Sequence, residues 1–264
     1  MVEPIEAAYF VPEGDDRYRP TEHTGGAWRD DEQHLAPVSG LVTHHMERWR
    51  EANVDPSLAF ARLSFEVLGQ IPRDTVELST EVVRPGRTIE LVETTASIGG
   101  RAIIRARGWL LQTSDTADVA GEEFAPLPPL EEGVDARISD DWPGGFIRSV
   151  RCKRVGELRP GRGRAWMTSD LALVVGEPST ALADFVRLID TANGVAVRES
   201  PERWMFPNVD LTIHFFRRPE GRWVGFDTRV AFGPGGLGLT SSVLHDLDGP
   251  VGTVQQALTL RRMA

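Results

Sequence analysis

The sequence predicts an α+β protein built of two similar units in one chain, each a helix lying against an antiparallel sheet. Three observations lead there: the chain repeats itself, each half carries one amphipathic helical segment, and most remaining residues read as strands. The repetition is clearest in VELSTEVVRPGRTIEL, Val76 to Leu91, and DLTIHFFRRPEGRWVGF, Asp210 to Phe226. Both are strand-like runs that break at Arg-Pro, turn through a glycine and resume after an arginine. Gly100 to Leu111 (GRAIIRARGWLL) and Gly249 to Leu260 (GPVGTVQQALTL) are equal in length and similarly placed, so each half is expected to end in such a strand.

The first helix is expected over Pro37 to Asn53, where Val38, Leu41, Val42, His45, Met46 and Trp49 follow the i, i+3, i+4 spacing of an apolar stripe. The second opens at Pro178-Ser179, repeats the stripe with Leu182, Phe185, Val186 and Ile189, and stops at Asn193-Gly194. Val-, Ile-, Thr- and Phe-rich runs supply the strands. Between the halves, Pro126, Pro128 and Pro129 lie among acidic residues with little periodicity, which marks a linker or surface crossover. The units are therefore drawn as residues 1–115 and 142–264, with 116–141 as linker. Pairing the two sheets edge to edge would cover the edge and face that each leaves open.

A chain of 264 residues is one large domain or two small ones, and 41% hydrophobic with 26% charged residues is the composition of a globular protein. No apolar run approaches the roughly 20 residues that span a bilayer. The opening MVEPIEAAYF is acidic where a secretory signal would be basic, so a cytoplasmic protein is expected. The single cysteine, Cys152, agrees, since it allows neither an internal disulfide nor a thiolate-rich zinc site. With 29 Lys+Arg against 39 Asp+Glu the net charge is -10, which disfavours nucleic acid and anionic membranes. An anionic small molecule stays open, because a few arginines set the potential inside one cleft.

Candidate chemistry lies where the halves differ. Aligned on the shared Arg-Pro, Asp210 falls opposite Val76; aligned on Gly249, Gln255 falls opposite Ala106. An Asp and a Gln can hold a water, the carboxylate as base and the amide as orienting partner, although an Asp at a strand start also makes ordinary turns. Asp190 and Asn193 share a helix face, where they either cap the helix end or project toward the seam between halves. His34 precedes the first helix, whose free amides suit a developing oxyanion; alone it also reads as a surface histidine at a turn. His44 and His45 point in different directions and do not suggest a metal site. Phe232 to Leu239, FGPGGLGL, is followed by a strand rather than a helix, so its glycines make a bulge or close approach rather than a phosphate cradle. There is no GxSxG elbow, and Cys152 has no activating neighbour in sequence.

Taken together, GQIPRDTVELSTEVVRPGRTIELVE, GGRAIIRARGWLL, LIDTANGV, FPNVDLTIHFFRRPEGRWVGFD and GPGGLGLTSSVLHDLDGPVGTVQQALTL resemble acyl-CoA thioesterases of the double-hotdog kind. The likeness is to bacterial acyl-CoA thioesterase II and to actinobacterial thioesterase family proteins, and covers nearly the whole chain. It implies two hotdog units, each a helix wrapped by a sheet, and hydrolysis of a fatty acyl-CoA by water without a covalent acyl-enzyme or a cofactor. In such relatives an Asp, a Thr or Ser and a Gln position the water. The resemblance assigns the first and last to Asp210 and Gln255, and puts Ala231 at the hydroxyl position. His34-Leu35-Ala36-Pro37 stands where relatives have His-Gly-Gly. His34, Asp190, Asn193, Gly194, Ala231 and Gly235 are the expected substrate-binding set, with Arg84, Arg87, Arg217 and Arg218 as candidates for the CoA phosphates. Two other functions stay open: an acyl-binding protein that lost turnover with the hydroxyl, and an acyl-CoA hydratase, for which no segment carries a paired Asp and His. A monomer and a homo-oligomer are both compatible with the resemblance.

Overall fold

The computed structural model describes residues 7–14, 16–140 and 142–263. The first half runs β1 (Ala8–Pro12), β2 (Arg17–Pro20), α1 (Leu35–Asn53), β3 (Leu58–Val67), β4 (Val76–Arg84), β5 (Ile89–Ile98) and β6 (Arg101–Gln112). The second begins with β7 (Val134–Ala136), α2 (Gly145–Ser149), β8 (Val150–Arg154), β9 (Arg162–Ser169) and β10 (Ala172–Val174). It continues through α3 (Ala181–Ile189), α4 (Ala192–Val195), β11 (Trp204–Met205), β12 (Asp210–Phe215), β13 (Val224–Phe232), β14 (Leu237–Asp246), β15 (Gly249–Thr259) and β16 (Arg261–Arg262).

Among the described residues one 14-stranded sheet holds every strand but β11 and β16, in the order β10-β1-β2-β4-β5-β6-β3-β12-β15-β14-β13-β9-β8-β7. Its core is two copies of one pattern, β2-β4-β5-β6-β3 and β9-β13-β14-β15-β12, joined where β3 and β12 pair antiparallel from Asp210↔Glu66 to His214↔Arg62. The expected edge-to-edge pairing is thus present, and the arrangement is that of a double hotdog.

The pattern corrects the internal alignment. β12 takes the place of β3, and β4 takes the place of β13, so matching Val76–Leu91 to Asp210–Phe226 is out by one strand. The Arg-Pro-Gly run of the first half closes the β4–β5 hairpin, whereas that of the second leads from β12 across to β13, two strands that are not neighbours. Turn residues report local backbone needs, not which strands they connect. The segment read as a linker also lies against the second half: Leu127 is buried beside Trp166, whose indole N–H donates to the Pro128 carbonyl at 2.9 Å, and β7 pairs with β8.

The helices fill the concave side of the sheet. α1 starts two residues earlier than the stripe predicts, because His34 caps it, its Nδ1 accepting from the Ala36 amide at 3.1 Å. It is buried on nearly every side instead of showing one wet face, because α3 packs against it as well as the sheet. Its inner polar residues bond to their own helix: Ser39 donates to the Ala36 carbonyl and Thr43 to that of Ser39, both at 2.8 Å. α3 is capped by Thr180 and ends at Asp190, with α4 following as a single turn.

The helices cross at Gly40, where an added Cβ would stand 2.3 Å from the Arg187 Cβ and 2.9 Å from its Cα. That approach cannot be relieved by turning a side chain, so Gly40→Ala must push the helices apart. Overpacking of this kind costs about 2 kcal/mol. The expected result in circular-dichroism melts is a Tm lower by roughly 5 °C; an unchanged Tm would mean that the crossing is loose.

Candidate active site

The crossing brings the start of α1, from the first half, against the end of α3, from the second. There the Asp190 Oδ2 lies 3.3 Å from the His34 Nδ1. The other carboxylate oxygen, Oδ1, accepts two side-chain amides: Asn208 Nδ2 at 2.9 Å, from the residues leading into β12, and Gln256 Nε2 at 2.8 Å, from β15. Asn208 Nδ2 also donates to the Asp210 carbonyl at 3.0 Å, which fixes the amide's orientation. Gln256 is fully buried, and among the described residues its Oε1 has no hydrogen-bond partner.

Burial pushes the Asp190 carboxyl up to about 6, with the two amide donors pulling the other way. Burial pushes the His34 imidazole down to about 4. Close as they are, the two are therefore not an ion pair at neutral pH: the carboxylate is ionised and the ring is neutral. Since Nδ1 accepts from the Ala36 amide, the ring proton belongs on Nε2. The His34 ring also packs against Phe146, centroids 4.6 Å apart.

Two cavities meet at this group and share Ala27, Trp28, His34, Asp190 and Asn208. The outer, of about 530 Å³, carries polar walls from Arg29, Gln33, Gln70 and Arg261 and reaches the start of α1 at Leu35. The inner, of about 50 Å³, is walled by Ile138, Trp142, Ile147, Met167 and Gly194. The first three amide positions of a helix lack intrahelical acceptors. In α1, Pro37 has no N–H and Ala36 is taken by His34, which leaves the Leu35 N–H to meet a ligand in the outer cavity.

His34, Asp190, Asn193 and Gly194 all line the cavities, but Asn193 is tied into the fold, donating to the Phe206 carbonyl at 3.0 Å. The structure does not bring Asp210 or Gln255 there. In β12 the buried residues are Leu211, Ile213 and Phe215, so Asp210 belongs to the outer face, where its carboxylate accepts from the Ala257 amide at 2.6 Å. In β15, Val254, Gln256 and Leu258 point inward while Gln255 is exposed and nearest Ser241, at 3.4 Å. Strand residues alternate faces, so a slip of one position exchanges the buried glutamine for the exposed one. Ala231 is exposed on the outer face opposite Leu239, and Gly235 sits in the β13–β14 hairpin turn; neither lines either of these two cavities. Thr228 is buried and shares a hydrogen bond of 2.8 Å with Ser242.

The arginines proposed for CoA are absent from both cavities. Arg217 instead clamps Asp246 with two bonds of 2.5 and 2.6 Å, Arg218 reaches Glu47 at 3.3 Å and Arg84 caps the Ile89 carbonyl at 2.7 Å. Cys152 is buried, which pushes its thiol up to about 11 and removes it as a nucleophile. Among the described residues no three His, Cys, Asp or Glu side chains stand together as a metal site, and no helix is long and apolar enough to cross a membrane. His44 and His45 point to Glu177 and Asp16 respectively.

Residues 24–111 match the family model of the acyl-CoA thioesterase N-terminal domain, and 121–260 that of the C-terminal domain. Similar solved structures include a putative thioesterase from Novosphingobium aromaticivorans, 18% identical over 96% of this chain and 98% of that one, TM-score 0.71. Another is the acyl-CoA thioesterase II TesB2 of Mycobacterium marinum, 15% identical over 98% and 97%, TM-score 0.66. A hot dog protein of unknown function from Alicyclobacillus acidocaldarius is 12% identical over 98% of both chains, TM-score 0.72. At these identities the solved structures establish the fold. No curated protein matches the sequence.

Raising the Asp190 carboxyl from 3.8 to about 6 has a stability consequence with a definite sign. The folded chain binds the proton more tightly than the unfolded chain, so stability falls as pH rises through the window between about 4 and 6. Above it the full cost of about 3 kcal/mol is present. Asp190→Asn keeps an acceptor for the two amides and offers His34 a donor without the charge. The variant is expected to exceed wild type by up to about 3 kcal/mol in denaturant unfolding at pH 8, and to match it near pH 4. Equal stability at pH 8 would show that the carboxylate is not desolvated.

Proposed function

We propose that this chain, which belongs to the acyl-CoA thioesterase family, hydrolyses an acyl-CoA thioester to the free acid and CoA by direct attack of water. The observation that carries this reading is the Asp190 carboxylate: buried, ionised at neutral pH, held by two amides on one oxygen, and part of the wall of both cavities. A general base works best with a pKa near the operating pH. A water in the cavities beside Asp190 donates to the carboxylate and is oriented by it.

The Leu35 N–H at the start of α1 is the donor for the thioester carbonyl oxygen as it becomes an oxyanion. Water oxygen bonds to the carbonyl carbon as its proton passes to the Asp190 carboxylate. Collapse of the tetrahedral species breaks the C–S bond, and the proton on Asp190 returns to the departing thiolate.

The non-catalytic alternative rested on Ala231, which lies on the outer face and lines neither of the two cavities. Acyl-CoA hydration gains one observation, the meeting of His34 and Asp190 from opposite halves at 3.3 Å.

The experiment is free-thiol release from acyl-CoAs, with crotonyl-CoA absorbance followed in parallel for hydration. Asp190→Asn is expected to lower kcat by about 10³-fold, while Asp210→Asn and Gln255→Ala stay within a few-fold of wild type. Tight binding without release would favour the binding protein, and loss of crotonyl absorbance without thiol would favour the hydratase. The same assay across pH is expected to give a kcat/KM that climbs with pH to a plateau beginning near the Asp190 value of about 6. A rate insensitive to pH between 5 and 8 would remove Asp190 as the base.

A further inference from the structure

The two cavities that meet at Asp190 differ tenfold in size, and this difference selects a substrate. The large outer cavity, with Arg29, Glu32 and Arg261 in its wall, has room for the pantetheine arm and charged end of a CoA thioester; the small inner one, walled by Ile138, Trp142, Ile147 and Met167 beside Thr191 and Asn193, takes the acyl group. Building on the hydrolase reading above, we infer that the acyl group is short, about two to four carbons, and that Trp142 and Ile147 set the limit.

The inner cavity holds about 50 Å³. That is a tenth of the outer cavity and leaves room for only a few heavy atoms beyond the reacting carbonyl. The far wall is rigid. Trp28, Trp142 and Phe206 meet edge to face with centroids 5.1 to 5.7 Å apart, and Phe206 rests on Phe232 at 5.6 Å. Phe206 is 1% exposed and Trp142 8%, so neither swings aside without opening the core. Gly194 is the complementary feature: a Cβ there would approach Trp142 Nε1 to 3.4 Å, and would take some of the little space left.

Ile138 and Ile147 form a second boundary. Both also line an open groove of about 600 Å³ on the other side, so these two side chains separate the inner cavity from the surface. Shortening Ile147 joins the two spaces and gives a long chain an exit.

The test is kcat/KM by thiol release from acetyl-, butyryl-, octanoyl- and palmitoyl-CoA, for wild type, Ile147→Ala and Trp142→Phe. Wild type is expected to prefer acetyl- or butyryl-CoA over octanoyl-CoA by at least about tenfold, the scale on which an apolar pocket discriminates. Both variants are expected to narrow or reverse that ratio. Calorimetric binding of butyryl- and octanoyl-CoA to Asp190→Asn separates this inference from the activity: release of no thiol from any substrate would sink hydrolysis, while tighter binding of the shorter chain would still support the size limit. Octanoyl-CoA bound more tightly, or turned over as fast as butyryl-CoA by wild type, would overturn it.

Discussion

The crossing of α1 over α3 at Gly40 constrains everything that makes this chain reactive. Each helix lies along the concave side of its own sheet, and the sheets are held edge to edge through β3 and β12, so the helices have one place to pass. Gly40 lets them pass at backbone distance. A bulkier crossing would move the start of α1 away from the end of α3, and the site would come apart, because His34 and Leu35 come from one half while Asp190, Asn208 and Gln256 come from the other. Arg187 fixes the crossing by donating to the Leu171 carbonyl at 2.6 Å and lying 5.7 Å over the Tyr9 ring.

The same crossing has a second end, where the start of α3 approaches the middle of α1. If the two halves were equivalent, that end would hold a second site. It is filled instead: His44 Nε2 meets Glu177 Oε2 at 3.1 Å, and Arg48 reaches the same oxygen at 2.8 Å. Three charged or polar side chains there pair with one another, whereas at the other end Asp190 meets two neutral amides and the His34 ring. Duplication set up two candidate places, and divergence of the side chains kept one open.

Much of this was legible in the sequence, and the errors have a common physical origin. Helix positions, the duplicated unit, the edge-to-edge pairing and the family could be read because apolar periodicity and internal repetition are long signals. The site lay in short ones. Matching the Arg-Pro turns put β12 opposite β4, since similar turns serve a hairpin in one half and a crossover in the other. The alignment on Gly249 pointed to Gln255, whereas from residue 254 on the buried positions of β15 are the even-numbered Val254, Gln256 and Leu258. By the same alternation Leu211, Ile213 and Phe215 put Asp210 outside. Asn208 gave no such signal, because it precedes its strand and reaches Asp190 through the turn of the chain.

Two buried carboxylates show why Asp190 rather than another acid is suited to accept a proton. The Asp246 side chain is 0% exposed and that of Asp190 5%, so desolvation opposes the charge on both. Asp246 is nevertheless held below the usual carboxylate range, because Arg217 and the backbone N–H groups of Glu220 and Asp248 all donate to it. Asp190 receives two neutral amides and no cation, and the imidazole beside it is itself kept neutral by burial. Neutral donors fix the direction of a carboxylate without cancelling what burial costs it. Asp246 is therefore a structural anchor that stays ionised, and Asp190 is an oriented acid whose proton comes and goes near physiological pH. Replacing either amide by an arginine would make the second into the first: a more stable fold with a weaker base.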